Sequence, residues 1–259
     1  MKISSAMMPL FALLAGVAGF YIRLQELWSV IDARTGLPQR GAALTLTLIA
    51  LTVAFILLLL IFSICVSKRY KSPEGFEYAF GTEMLSYPVM FAIIGIIWIG
   101  ASVKYYIDLS AAGNATIIEI YFSAFSVLAA ISTALCALVV YQGSVGKTKH
   151  ALCVIPVLFM CFWLVLMYRE NATNPVLLSY AYFCLAIMFA TLGFYFTAGF
   201  LFNKPASGKT VFCSLTAVYF CLITLADKHV FSIKLIFFAL IAINMIHSSM
   251  LIKNLEKKN

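Results

Sequence analysis

Long apolar runs separated by short polar joints make up this chain. Eight runs stand out: Ala6–Leu24, Ala42–Val66, Leu85–Tyr105, Ile117–Tyr141, Ala151–Tyr168, Val176–Phe202, Val211–Leu225 and Ile233–Ile252. A bilayer core of roughly 30 Å needs about 20 apolar residues per helix, so each run is read as one crossing. The runs are continuous, whereas a barrel strand alternates over about ten residues. The pattern predicts an all-α, polytopic bundle of eight transmembrane helices.

Composition sharpens this. The chain has 259 residues, of which 63% are hydrophobic and 11% charged, with a mean hydropathy of +1.01. Soluble domains carry about 25% charged residues. Eight helices consume the whole length, leaving a single transmembrane domain, 1–259, with the lipid bilayer as its first partner. The net charge of +8 then belongs to loops, and nucleic acid is excluded as a partner. With the N-terminus inside, eleven Lys and Arg fall on the inner side and seven on the outer. That asymmetry predicts a cytoplasmic (plasma) membrane protein with both termini cytoplasmic.

Residues 1–19 also fit a cleaved signal peptide, with Lys2, an apolar run, and small Gly16 and Ala18. Against that stands an internal resemblance. Pro9, Pro88 and Pro156 each fall in the first turn of a predicted span, and Gly146-Lys147-Thr148 recurs as Gly208-Lys209-Thr210. Cys153 and Cys161 share their spacing with Cys213 and Cys221, and Asn114-Ala-Thr116 recurs as Asn171-Ala-Thr173. These match tandem helical hairpins, in which the first span is retained.

Most motifs carry no chemistry. The Gly-Lys-Thr triplets lack the upstream glycine of a phosphate loop and read as basic turns. The two Asn-x-Thr sequences mark loop tips. His150, His229 and His247 are scattered, and His247 shares a face with Asn244 and Ser248, which reads as interhelical hydrogen bonding. Lys234 enters its span by only two residues, which suits a snorkelling side chain. All seven cysteines lie in apolar runs and read as free, buried thiols. No nucleophile, base and metal set converges, so no enzyme, cofactor or metal site is expected.

The informative charges collect at outer span ends: Arg23, Glu26, Lys104, Glu119, Asp227 and Lys234 are the candidate outer-face site. Glu119 shares a helical face with Ser123, Ser126, Ala130, Thr133 and Ala137, a small-residue stripe that lets helices approach closely. The stripe predicts that Glu119 points inward and meets a cation, with Arg23, Lys104 and Lys234 at its depth. One reading is a structural rim of ion pairs. The other is a vestibule for a small solute or anion, capped by residues 21–41. Within that cap, Asp32-Ala-Arg-Thr-Gly-Leu-Pro38 after Tyr-Ile-Arg-Leu-Gln-Glu-Leu-Trp28 resembles an element of multi-pass membrane proteins of anaerobic Gram-positive bacteria. The resemblance covers about 20 of 259 residues. It implies a bacterial cytoplasmic membrane and no particular activity. Two functions follow as expectations: a non-catalytic module recognising a ligand or a membrane protein partner, or a carrier or channel for a small neutral or anionic solute.

Overall fold

A computed structural model describes residues 5–32, 37, 39, 42–113, 116–143, 150–174, 176 and 180–257. Eight of its helices are long and apolar enough to cross a membrane. They are α1 (Met7–Ser29), α2 (Ala43–Arg69), α4 (Ser86–Ala111), α5 (Ile117–Tyr141), α6 (His150–Asn171), α7 (Ala181–Gly199), α8 (Ser207–Thr224) and α9 (Phe231–Lys253). Between α2 and α4 lies the short α3 (Phe76–Phe80), and a 3-10 turn, Phe200–Phe202, ends α7. The remaining regular structure among the described residues is a two-pair antiparallel ladder, β1 (Tyr70–Lys71) with β2 (Glu256–Lys257).

The chain alternates direction, so the start of α1 and the end of α9 share one face, where the Ser249 hydroxyl donates to the Ser5 carbonyl at 3.2 Å. We call this the terminal face and its opposite the far face. On the terminal face Asn254 donates to the carbonyls of Ala79 and Gly81 at 3.0 and 3.1 Å. With the ladder, these bonds fasten α3 against the end of α9.

Packing order follows side-chain chemistry. The least apolar of the eight spans is α8, yet 83% of its most apolar stretch is buried, against 28% for the most apolar span, α2. Lipid is as greasy as leucine, so greasy helices face lipid and helices with small or hydroxylated residues go inside. Ser214, Thr216, Ala217 and Cys221 of α8 are fully buried. Around it pack α1, α2, α7 and α9. Gly16 and Gly19 of α1 lie directly against Leu222 and Ile223, and Gly208 of α8 lies directly against Ser63 and Ser67 of α2. The other face of α9 meets α4, and α4–α5–α6–α7 continue neighbour to neighbour. Five helices, α4 to α7 and α9, therefore surround one axis, with α8 behind α7 and α9.

Several expectations change here. Residues 21–29 belong to α1, because the buried face of that helix (Ala12, Gly16, Gly19) continues past Leu24 through Arg23 and Glu26, which pair there with buried partners. The cap begins at Val30; Asp32 N–H donates to the Leu37 carbonyl and Gln39 N–H to the Val30 carbonyl, so its described part is turned back on itself. Arg34, Thr35, Gly36, Pro38 and Arg40 lie outside the described residues. Gly208-Lys209-Thr210 is the first turn of α8, not a turn before it, since the close approach to α2 holds that segment helical. Gly146-Lys147-Thr148 lies outside the described residues. Pro9 and Pro88 sit in first turns, but Pro156 is interior to α6, where the carbonyl four residues back loses its donor. Not all cysteines are free: Cys136 of α5 and Cys153 of α6 form a disulfide, with Cα atoms 6.3 Å apart across adjacent antiparallel helices.

The tight seam yields a test. A methyl group on Gly208 would lie 2.8 Å from the Ser63 backbone carbonyl, whereas one on Gly100 meets nothing within 4 Å. Gly208→Ala is expected to destabilise by about 1–3 kcal/mol through overpacking. Gly100→Ala should be neutral or stabilise by up to about 1 kcal/mol. Thermal melts of both variants in detergent check this.

Candidate functional site

Of the six candidate residues, the structure unites three. Arg23 of α1 is 1% exposed. Its Nη1 donates to Glu26 Oε2 at 2.8 Å, one turn along the same helix, and its Nε donates to Asp227 Oδ1 at 2.9 Å. Glu26 Oε1 accepts from the Thr45 hydroxyl of α2 at 2.5 Å. The guanidinium also sits over the Tyr182 ring of α7, 5.0 Å from its centroid. A buried charge survives only when paired and hydrogen-bonded. Here one cation joins α1, α2, α7 and the α8–α9 connection. Its Nε and Nη1 are committed to protein carboxylates and it is shut off from solvent, which corrects the expectation of an anion-accepting vestibule built on Arg23.

The other three are elsewhere. Lys104 pairs with Asp108 one turn along α4, at 3.0 Å and half-exposed. Glu119 does not meet a cation among the described residues. Its side chain turns back to cap its own helix, accepting from the Thr116 backbone N–H and hydroxyl. This is the Thr-x-x-Glu capping box, in which the first-turn carboxylate satisfies an orphan amide. The stripe below it is buried as its spacing implies, with Ser126 and Ala130 fully enclosed. Lys234 is half-buried near the far-face end of α9, and makes no ion pair among the described residues. His247 packs among the Phe80, Phe91 and Phe194 rings. Asn244 and Ser248 bond carbonyls of their own helix, so no hydrogen bond links them to His247.

A cavity of about 380 Å³ opens on the far face over the five-helix axis. Its walls are Tyr105 of α4, Glu119 and Phe122 of α5, Trp163 and Glu170 of α6, Tyr180 and Phe183 at α7, and Lys228, His229, Val230 and Ile233 from the α8–α9 connection and α9. The floor is aromatic: Trp163 lies 5.5 Å from Phe122 and 5.3 Å from Phe237, between ring centroids. His229 stacks on Phe183 at 4.6 Å, and its Nε2, buried, has no hydrogen-bond partner. Burial, with Lys234 nearby, pushes the His229 imidazole down to about 4, so it is neutral near pH 7.

Sequence reading named Glu119 but missed Glu170, His229 and the aromatic walls. A signal was present: Trp163, Leu166 and Glu170 fall at i, i+3 and i+7 on one face of α6, and all three line the cavity.

Below the floor the axis is filled. Trp98 Nε1 donates to the Ser126 hydroxyl at 2.9 Å, Ser126 and Ser102 share a 2.8 Å bond, and Ser102 donates to the Trp98 carbonyl. A small second cavity, with about 20 Å³ for water-sized contents, lies near the terminal face. It is lined by Thr133, Pro156, Thr197 and His247 among others. Among the described residues no group of three or more His, Cys, Asp or Glu side chains is arranged to hold a metal ion.

No protein-family model matches this chain, and neither a curated protein nor a solved structure does. The fold and the cavity define a class and nothing narrower: an all-helical protein with eight potential membrane spans and an aromatic-walled cavity on the face opposite its termini.

Three outcomes are expected. Removing one member of a buried pair leaves the others uncompensated, so Arg23→Met should cost about 3–5 kcal/mol. Lys104→Ala, at a half-exposed pair, should cost under about 1 kcal/mol. Chemical denaturation in detergent separates the two. For His229, the folded value lies below the unfolded one, so its contribution is complete above about pH 6.5 and is lost as pH falls through about 4. Burial moves the Asp227 carboxyl up, which slopes the opposite way. The difference between wild type and His229→Gln isolates the histidine: the melting temperature of the wild type should drop more steeply than that of the variant between pH 6.5 and 4.

Proposed function

We propose that this chain is a non-catalytic, ligand-recognising module of a bacterial cytoplasmic membrane, with both termini in the cytoplasm and the far-face cavity as its outward reader. The observation that carries the reading is the cavity itself. It is open, about 380 Å³ in volume, and lined by apolar rings with a few polar groups, the usual make-up of a small-molecule site. Orientation rests on the Lys and Arg asymmetry, eleven to seven toward the terminal face. The likeness of residues 21–38 to membrane proteins of anaerobic Gram-positive bacteria supports the choice of membrane. A membrane protein partner at the cap is the alternative occupant of the same face.

A carrier is the second reading, and one observation favours it. The second cavity is lined by the terminal-face ends of the same five helices, so the two cavities share an axis. The aromatic floor and the Trp98–Ser126–Ser102 network close that axis in this conformation.

A thermal-shift panel of small cationic, neutral and anionic metabolites on the detergent-purified chain tests the reading. A ligand at 100 times its dissociation constant stabilises by about 2.7 kcal/mol. Val230 is 54% exposed at the cavity mouth, and Val230→Trp should narrow the mouth without burying anything new. A saturable shift that Val230→Trp abolishes is expected. Shifts that ignore this substitution, or none across the panel, overturn the cavity as reader.

A further inference from the structure

We infer that the ligand of the far-face cavity carries an organic ammonium group. This rests on the reading of that cavity as a ligand site and adds the chemical class. The aromatic residues Tyr105, Phe122, Trp163 and Phe183 line one space, and such a cluster of rings attracts a weakly hydrated cation through the ring quadrupoles. A purely apolar solute would use the rings alone. Two carboxylates, however, stand at the same mouth on adjacent helices: Glu119 on α5 and Glu170 on α6.

Each carboxylate has capacity to spare. The hydrogen bonds that Glu119 makes to Thr116 all end on Oε2, which leaves Oε1 without a hydrogen bond among the described residues, on a side chain that lines the cavity. No hydrogen bond or ion pair engages Glu170 among the described residues, and it is exposed at the rim. The third polar group fits as well. Neutral His229 can carry its proton on Nδ1 and offer unpartnered Nε2 as an acceptor. Three acceptors and a cluster of rings suit a cation; an anion would find acceptors.

Cations stand nearby and must be weighed. Lys228 lines the mouth, Arg169 adjoins Glu170, and Lys234 lies one turn into α9. Lys228 and Arg169 are exposed, so water screens them. Lys234 does not line the cavity. Lys228 opposes an ammonium ligand, and that fixes the sign of one variant.

Three probes of one shape decide the matter: choline, the neutral 3,3-dimethylbutan-1-ol, and the anionic 3,3-dimethylbutyrate, titrated by calorimetry into the full chain in detergent. Quenching of tryptophan fluorescence in a Trp28→Phe background provides a second readout, because Trp163 lines the cavity whereas Trp28 is 84% exposed. Choline should bind at least about tenfold tighter than the alcohol, with the anion weakest. Glu119→Gln keeps the helix cap, since glutamine also serves at that position, and should weaken choline by about tenfold while leaving the alcohol unchanged. Glu170→Gln should act in the same direction, and Lys228→Gln should tighten choline. Equal or tighter binding of the alcohol or the anion overturns the ammonium assignment, as does choline binding indifferent to both glutamates. If Val230→Trp still abolishes binding of whichever probe is preferred, the cavity stands as a site and only its ligand class falls. If none of the three probes binds, the ammonium assignment is overturned, and the fate of the cavity is then read from the wider metabolite panel.

Discussion

The fold depends on keeping one guanidinium out of lipid and water at once. Arg23 is almost fully enclosed, and a charge there is costly unless its partners come with it. Glu26 comes from the next turn, which α1 supplies wherever it forms. Asp227 is 204 residues away, so the pair forms only after α8 has packed and the chain has turned toward α9. Thr45 and Tyr182 complete the shell from α2 and α7. The ion cluster thereby ties the outer pair α1–α2 to the five-helix ring through the same connection that carries Lys228 and His229 to the cavity mouth. Its role is positional, because it holds the segment that forms part of the cavity mouth.

Helix placement answers to a second constraint. In a lipid solvent apolarity gives no reason to pack inside, so small size and hydrogen-bonding capacity decide. That is why α8, with its serines, threonines and glycine, is the axle, and why α2 lies at the edge. The aromatic residues follow a different logic. Rings gather where α4 to α7 and α9 leave room, and their mutual contacts form the floor of the cavity.

Much of this was legible in the chain. The eight spans are set by length and continuous apolarity, and the Ser123–Ala137 stripe correctly marks a buried face of α5. That Arg23, Glu26 and Asp227 share a depth was readable, but which of six charges pair was not, because depth fixes one coordinate and pairing needs the rotation of each helix. Glu119 shows the limit plainly. Its stripe predicts an inward cation partner, yet local chemistry at the helix end, Thr116 three residues earlier, claims the carboxylate first. The cavity was hidden for a similar reason: its walls come from five of the long helices and the α8–α9 connection, and no helix contributes more than a few residues.

The geometry bears unequally on recognition and transport. Recognition asks only that a solute reach the rings and carboxylates of a mouth that is already open. Transport asks more, since the path below runs through the packed rings of Phe122, Phe159 and Trp163 and then a closed hydrogen-bond circuit of Trp98, Ser126 and Ser102. Opening it would strand buried donors in an apolar interior, at a cost of about 1–3 kcal/mol each. The break in backbone bonding nearest the second cavity is at Pro156, where α6 has lost one donor. A helix already weakened there, facing that cavity, is the place where the ring can flex. The far-face half of these five helices contains no proline, so its backbone hydrogen bonding has no such gap.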